Sequence, residues 1–237
     1  IPNMGRFLGP LIAGSLSAAF GFNALLTFAV AMIGLSLLPL SKLEGSRRKT
    51  KVSIRDTFPR EYWNYIPVMI ARGVQALAAV ALYGLFTYVV VGGSFGSGLV
   101  RSLDTLGFVI VAYFSASISD RFSRKSVIAV GATTAALTYV ARAFVTTPSQ
   151  AFFVALIGGL SFKLYHIPLF SEFADEADST SDTEFFALSR ICESVGTMLA
   201  AAIFISAISY SQILAFQSLF ILAGLATLLL PVFENRF

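Results

Sequence analysis

The chain is poor in charged residues and has a single cysteine and a single histidine. Charged residues make up 13% of the 237 positions and hydrophobic residues make up 56%, whereas about a quarter of a soluble domain is charged. The lone Cys192 excludes an intramolecular disulfide framework and a cysteine-based metal site. The lone His166 leaves any histidine metal cluster without a second imidazole, so we expect neither metal nor cofactor. This composition is typical of integral membrane proteins.

Long apolar stretches predict eight membrane-spanning helices. A helix needs about 20 apolar residues to cross a hydrocarbon core of about 30 Å, and lipid favours helices because their backbone groups bond to one another. Breaks rich in glycine, proline and polar residues separate the stretches. The stretches are residues 4–20, 22–40, 64–91, 99–118, 126–145, 151–170, 185–208 and 212–233. We therefore predict an all-α, polytopic transmembrane helix bundle.

Charge alternates from one predicted loop to the next. The loops at about 20–23, 92–98, 146–150 and 209–211 contain no charged residue. The other loops are charged, and segment 41–63 alone holds seven lysines and arginines. The positive-inside rule therefore predicts that loops 41–63, 119–125 and 171–184 and the C-terminus are cytoplasmic, in a protein of the cytoplasmic membrane. We interpret segment 41–63 as a topology determinant and a lipid-headgroup contact, and not as a nucleic-acid site.

The first predicted helix carries small residues along one face. Glycines at four- and five-residue spacing let a neighbouring backbone approach closely, and proline bends a helix. By themselves these residues predict a tight helix-packing seam. They are Gly5, Gly9, Pro10 and Gly14.

The short loop 119–125 holds one acidic and three basic residues between two predicted helices. Such a loop can join helix ends through ion pairs and helix dipoles, although an ordinary positive-inside loop has the same composition. The four charged residues are Asp120, Arg121, Arg124 and Lys125.

Taken in this order, the two stretches resemble motifs of the major facilitator superfamily. Gly-Pro-x-x-x-Gly at residues 9–14 resembles the motif of the family's fifth helix, often called the antiporter motif, with Ala13 where glycine is usual. Asp-Arg-x-x-Arg-Lys at residues 120–125 resembles the motif between the eighth and ninth helices, with Ala116 and Ser123 where glycine is usual.

The resemblance implies a domain organisation. Residues 1–40 would be the last two helices of an N-terminal half, 41–63 the cytoplasmic linker, and 64–237 the C-terminal six-helix bundle. The chain begins within an apolar stretch and shows no signal peptide, so we expect residue 1 to be a fragment boundary. The partners of this segment would then include four N-terminal helices of its own chain.

Polar side chains within the predicted helices are the candidate functional residues. An ionisable group at mid-membrane costs about 2.5–3.5 kcal/mol on insertion scales, so each needs a reason. The resemblance implies that most of them lie on helices bordering a central cavity. Candidates for lining the substrate cavity are Arg72, Gln75, Tyr83, Lys163, Tyr165 and His166. Candidates for proton coupling or gating are Arg101, Asp104, Arg190 and Glu193.

Structural roles remain open for the coupling candidates. Arg101–Asp104 and Arg190–Glu193 are spaced i,i+3 and can neutralise each other as ion pairs near helix ends, where they can latch a gate. Arg142 lies four residues from the outer end of its predicted helix, and we expect it to snorkel to the membrane interface.

These features predict a secondary active transporter that works by alternating access. The antiporter-like stretch favours proton-coupled efflux. A positive excess among the intramembrane charges favours instead the uptake of a polar or anionic metabolite, and a non-transporting receptor on the same fold is a third reading. The expected partners are a small-molecule substrate, a proton or other coupling ion, and the lipid bilayer. His166 has no zinc motif or nucleophile motif beside it, so we predict no enzymatic activity.

Overall fold

The computed structural model describes residues 2–40, 60–179 and 182–234, without the side chains at 2–4, 6, 39–40, 60–61, 115–121, 176–179, 182–183 and 232–234. Eight helices follow one another within these ranges, and no strand occurs there. They are α1 (Pro2–Phe20), α2 (Phe22–Leu40), α3 (Ile66–Ala76, Leu77–Leu82 and Tyr83–Val91 in succession), α4 (Ser94–Arg121), α5 (Arg124–Ala143), α6 (Pro148–Ser179), α7 (Asp182–Ile208) and α8 (Gln212–Glu234). The predicted all-α, polytopic helix bundle is confirmed.

Six of the helices are membrane spans by length and composition. The spans in α3 to α8 are 20 to 30 residues long, and α1 and α2 contain shorter apolar stretches, Phe7–Phe20 and Phe22–Leu38. Many large apolar side chains point away from the bundle, including Val80, Leu137 and Ile213, each at least 64% exposed. The chain is therefore an integral membrane protein whose surface contacts lipid.

The turn between α3 and α4 is shorter than predicted. The sequence places residues 92–98 in a loop, but α4 already begins at Ser94. Gly92 ends α3 with a φ of 80°, a left-handed conformation that glycine adopts at little cost. Gly98 instead faces α1, where an added Cβ would lie 3.1 Å from the Cα of Gly14. Gly98 therefore serves helix packing and not chain reversal.

The predicted loop 171–184 is also mostly helical. α6 continues to Ser179, and α7 begins at Asp182. The apolar stretch ends near residue 170, but alanine and glutamate are strong helix formers in water. Hydrophobicity marks where a helix leaves the lipid, not where it ends. Most of the predicted linker 41–63 lies outside the described residues, and Arg60–Asn64 forms a short 3₁₀ turn ahead of α3.

The helices pack in a consistent set of pairs. α4 packs along α6, α3 along α7, and α5 against both α6 and α8. α1 and α2 form a hairpin at Gly21, and α1 runs antiparallel along α4. Two hydrogen bonds join α1 to α4: the hydroxyl of Ser17 donates to that of Ser94 (3.2 Å), and that of Ser102 donates to the carbonyl of Phe7 (2.9 Å).

A buried polar chain crosses the core between α3, α6 and α8. The hydroxyl of Tyr165 donates to Oε1 of Gln75 (3.0 Å), and Nε2 of Gln75 donates to the hydroxyl of Thr227 (2.7 Å). The Thr227 hydroxyl donates in turn to the carbonyl of Ala223 (2.7 Å). All three side chains are at most 4% exposed, so the chain ties the three helices together where water is absent.

Replacing the central member of this chain should destabilise the bundle. Gln75→Leu leaves the Tyr165 hydroxyl without its acceptor, and we expect a loss of about 1–3 kcal/mol in the free energy of unfolding. Titration with SDS from mild-detergent micelles measures this loss. Gln212→Leu, at an exposed position at the start of α8, is the matched control. Equal stability of the two variants would contradict a structural role for Gln75.

Candidate functional site

A cavity of about 520 Å³ lies between α3, α4, α5 and α6, with one residue of α1 at its edge. Its charged lining residues within the described part of the chain are Arg101, Asp104 and Arg142. The remaining wall is mostly apolar or aromatic, and it consists of Pro10, Ala79, Val80, Thr105, Phe108, Ala135, Thr138, Tyr139, Gly158, Gly159 and Phe162.

Asp104 lies between two arginines. Its Oδ1 accepts a hydrogen bond from Nη2 of Arg142 at 2.8 Å, and its Oδ2 lies 3.8 Å from Nη1 of Arg101. Asp104 is ten residues into α4, about 15 Å along the helix from Ser94 at 1.5 Å per residue. The predicted Arg101–Asp104 pair is therefore present but lies well inside the span, because α4 begins five residues earlier than the apolar stretch indicates.

The expectation that Arg142 snorkels to the membrane interface is wrong. The side chain is 5% exposed, and its guanidinium carbon lies 4.0 Å from the ring centroid of Tyr83 and 5.2 Å from that of Tyr139. The ion pair with Asp104 and the two aromatic faces compensate for the lost hydration. The Nε of Arg142 has no hydrogen-bond partner among the described residues.

Glycines on α6 make room for this charged cluster. A Cβ added to Gly159 would collide with the carbonyl oxygen of Asp104, and one added to Gly158 would collide with the guanidinium of Arg142. Gly107 on α4 is enclosed in the same way by the backbone of Leu156. The close approach of α4 and α6 therefore depends on glycine at these positions.

Arg101 is held by α3 as well as by its own helix. Its Nη1 donates to the carbonyl of Ala79 at 2.8 Å, and its guanidinium lies 5.5 Å from the Tyr83 ring centroid. Ala79 belongs to the π-helical stretch Leu77–Leu82. Such stretches are rare and occur frequently at functional sites. A local irregularity of α3 thus forms one wall of the cavity.

A second cluster joins α3 and α7. Glu193 lies between Arg72, at 3.0 Å, and Arg190, at 2.9 Å, so the predicted Arg190–Glu193 pair is present and has a further partner on α3. The side chain of Arg190 is 82% exposed, whereas those of Arg72 and Glu193 are 18% and 15% exposed. A shallow hollow of about 390 Å³ lies beside this cluster. The helices meet closely because Gly73 and Gly196 leave no side chain between them.

The other cavity-lining candidates lie around these clusters. Gln75 and Tyr165 belong to the buried chain described above, and neither lines the 520 Å³ cavity. The Nζ of Lys163 lies 4.0 Å from the ring centroid of Phe108, a residue of the cavity wall. The ring of His166 lies between those of two phenylalanines of α6, Phe162 and Phe170. Contact of these four candidates with a substrate stays a prediction.

The residues of the two sequence motifs lie in different surroundings. Pro10 lines the cavity, and Gly14 packs against Gly98, but a Cβ at Gly5 or Gly9 would meet no described atom within 4 Å. The seam of α1 is therefore centred near Gly14.

In the second motif, Arg124 pairs with Asp175 of α6 at 2.8 Å, on the exposed surface. Lys125 is exposed as well. The side chains of Asp120 and Arg121 lie outside the described residues, so their predicted pairing stays a prediction.

Sequence reasoning missed the role of Arg142 as the main partner of Asp104. One signal was available: α5 contains no acidic residue, and Tyr139 precedes Arg142 by one helical turn, on the same face. A buried basic residue on such a helix needs its counter-charge from a neighbouring helix. Which neighbouring helix provides the counter-charge depends on how the helices pack, and this packing cannot be read from the sequence.

No protein-family profile matches the chain, and no curated protein matches it in sequence. The site must therefore be interpreted from its own geometry. Within the described residues, no group of three or more histidine, cysteine or acidic side chains could hold a metal ion.

Asp104 and Arg142 should be strongly coupled energetically. We expect a double-mutant cycle with Asp104→Asn and Arg142→Gln to give a coupling energy of about 1–3 kcal/mol in the free energy of unfolding. Asp104→Asn leaves the buried Arg142 without its counter-charge, and Arg142→Gln leaves Asp104 with only the more distant Arg101. The exposed Arg124–Asp175 pair, with the same 2.8 Å separation, is the matched control, and its coupling should be about 0–1 kcal/mol. Equal coupling energies in both pairs would show that burial does not strengthen the Asp104–Arg142 interaction.

Gly159→Ala should separate α4 from α6. The new Cβ collides with the backbone of Asp104, which cannot rotate away as a flexible side chain could, so we expect destabilisation of about 1–3 kcal/mol. Gly34→Ala on α2, where a Cβ meets no described atom within 4 Å, is the control and should be neutral or slightly stabilising. SDS titration measures both variants. A neutral Gly159→Ala would contradict the close contact.

Proposed function

We propose that the protein is a secondary active transporter that moves a small molecule across the membrane by alternating access and couples this movement to protons. The observation that carries the proposal is a cavity within a helical membrane bundle that contains an ion pair whose carboxylate, that of Asp104, lies in the middle of its span. Ionisable side chains at such depth mark substrate and ion pathways in membrane proteins.

The arrangement of α1 and α4 supports alternating access. By the resemblance to the major facilitator superfamily, these helices belong to different halves of the transporter. They pack through Gly14 and Gly98, and Pro10 of the antiporter-like stretch lines the cavity itself. Rocking of the two halves around the cavity would open and close this seam.

The two partly buried carboxylates of the clusters are the candidates for proton coupling. Asp104 faces Arg101 and Arg142, with the rings of Tyr83 and Tyr139 against the Arg142 guanidinium. A proton on Asp104 removes the counter-charge of these arginines, so protonation and the state of the cavity depend on each other. Glu193 has the same relation to Arg72 and Arg190.

Neutralising the carboxylates tests the proposal. The full-length protein is reconstituted into proteoliposomes with an imposed pH gradient, and dissipation of the gradient is followed by a pH-sensitive dye while panels of small organic anions and cations are added. For the coupling residue, we expect Asp104→Asn or Glu193→Gln to keep substrate exchange and to lose proton movement.

Asp175→Asn, which removes an exposed carboxylate paired with Arg124, is the matched control and should behave as the unmodified protein. Unchanged proton dependence in both Asp104→Asn and Glu193→Gln would remove these residues from the mechanism. A compound that binds but never crosses the membrane would instead favour a receptor built on the same fold.

A further inference from the structure

The described wall of the 520 Å³ cavity carries more positive than negative charge. It contains two guanidiniums, those of Arg101 and Arg142, and one carboxylate, that of Asp104. Arginine stays protonated in proteins, so the excess cannot be removed by loss of a proton. An occupant with a negative charge would balance the excess.

Arg142 also has one buried donor without a described partner. Its Nη2 donates to Asp104, but its Nε has no partner among the described residues although the side chain is 5% exposed. A buried donor without an acceptor is costly, and a guanidinium offers two parallel N–H groups to a carboxylate. The Nε has almost no surface open to the cavity, so a bound carboxylate would reach it only by taking the place of Asp104 on the guanidinium.

The rest of the cavity suits an apolar body. Phe108 and Phe162 contribute aromatic rings, and Ala135 and Val80 contribute aliphatic groups. A volume of about 520 Å³ lies within the range of about 300–1,000 Å³ found for small-molecule pockets. One charged recognition point in a mostly apolar wall is the pattern of a site for a small amphipathic molecule.

We propose that this cavity binds a small organic monocarboxylate with an apolar body, and that the bound carboxylate competes with Asp104 for Arg142. Arg101 stays on the Ala79 carbonyl and the Tyr83 ring and contributes positive potential. The proposal names the substrate class of the transport function above, and it rests on that function only for the step in which the anion crosses the membrane.

If the ligand competes with Asp104, substitutions of Asp104 and of Arg142 should change the affinity for a carboxylate in opposite directions. Asp104→Asn removes the competitor, so the affinity for a carboxylate should rise, by about tenfold if one charge-assisted hydrogen bond is released. Arg142→Gln removes the guanidinium that binds the carboxylate, so the affinity should fall at least as much. A cationic substrate held by Asp104 would give the reverse pattern, and a purely structural ion pair would make both variants lose binding together.

The experiment measures binding of radiolabelled benzoate to the purified full-length protein by equilibrium dialysis. Neutral benzamide and cationic benzylamine, which share the same ring, serve as competitors. Acetate, butyrate and salicylate are tested as further competitors and, by thermal stabilisation, as direct ligands. We expect at least one carboxylate to bind, benzamide and benzylamine to compete at least tenfold more weakly, Asp104→Asn to tighten binding and Arg142→Gln to weaken it.

Further variants distinguish a loss of carboxylate binding from a loss of folding. Arg142→Lys keeps the charge but loses the two-pronged geometry, so it should fold and bind the carboxylate with intermediate affinity. Arg124→Gln removes an exposed arginine that pairs with Asp175 and does not line the cavity, so this variant should bind as the unmodified protein. Binding of benzylamine in preference to every carboxylate, no stabilisation by any carboxylate, or weaker carboxylate binding by a folded Asp104→Asn variant would overturn the proposal.

Transport assays on the same preparations test the anion site and the proposed transport function separately. Carboxylate binding that follows the expected pattern, without movement of the anion into proteoliposomes, would support the site and contradict the transporter. Movement of benzylamine but of no carboxylate would support the transporter and overturn the anion site.

Discussion

The ion pair between Asp104 and Arg142 is the interaction on which the rest of the site depends. Two opposite charges in a low-dielectric interior attract strongly, but each also loses its hydration, so both must be held at short range. The 2.8 Å contact requires the end of α5 to reach the middle of α4. It also requires α6 to present glycine at Gly158 and Gly159, because any larger residue would occupy the space of the pair.

The same design occurs twice in the bundle. In each cluster an acidic side chain lies between two arginines, one of them an i,i+3 neighbour and the other on an adjacent helix. Each cluster also lies beside a glycine seam, α4 with α6 in one case and α3 with α7 in the other. A seam lined by backbone places the charged groups with little side-chain adjustment.

The eight helices could be predicted from the sequence because lipid imposes a minimum apolar length, and that length is visible as a pattern. Their ends could not, since water-exposed turns obey helix propensity instead: α6 reaches Ser179, well past its apolar stretch. The partners Arg101–Asp104 and Arg190–Glu193 were predictable from spacing along one helix. Arg142 and Arg72 were not assigned to these acids, because spacing on one helix carries no information about the register between helices.

A purely structural reading of the Asp104 cluster accounts for part of its geometry. Arg101 has a backbone carbonyl and an aromatic ring as partners, and Asp104 has two arginines, so neither needs a ligand. Arg142 differs, since it is the most buried of the three and its Nε has no partner among the described residues. Under the proposal above, the occupant of the cavity supplies a second negative charge beside the two guanidiniums, and the ion pair is a resting partner that a substrate replaces.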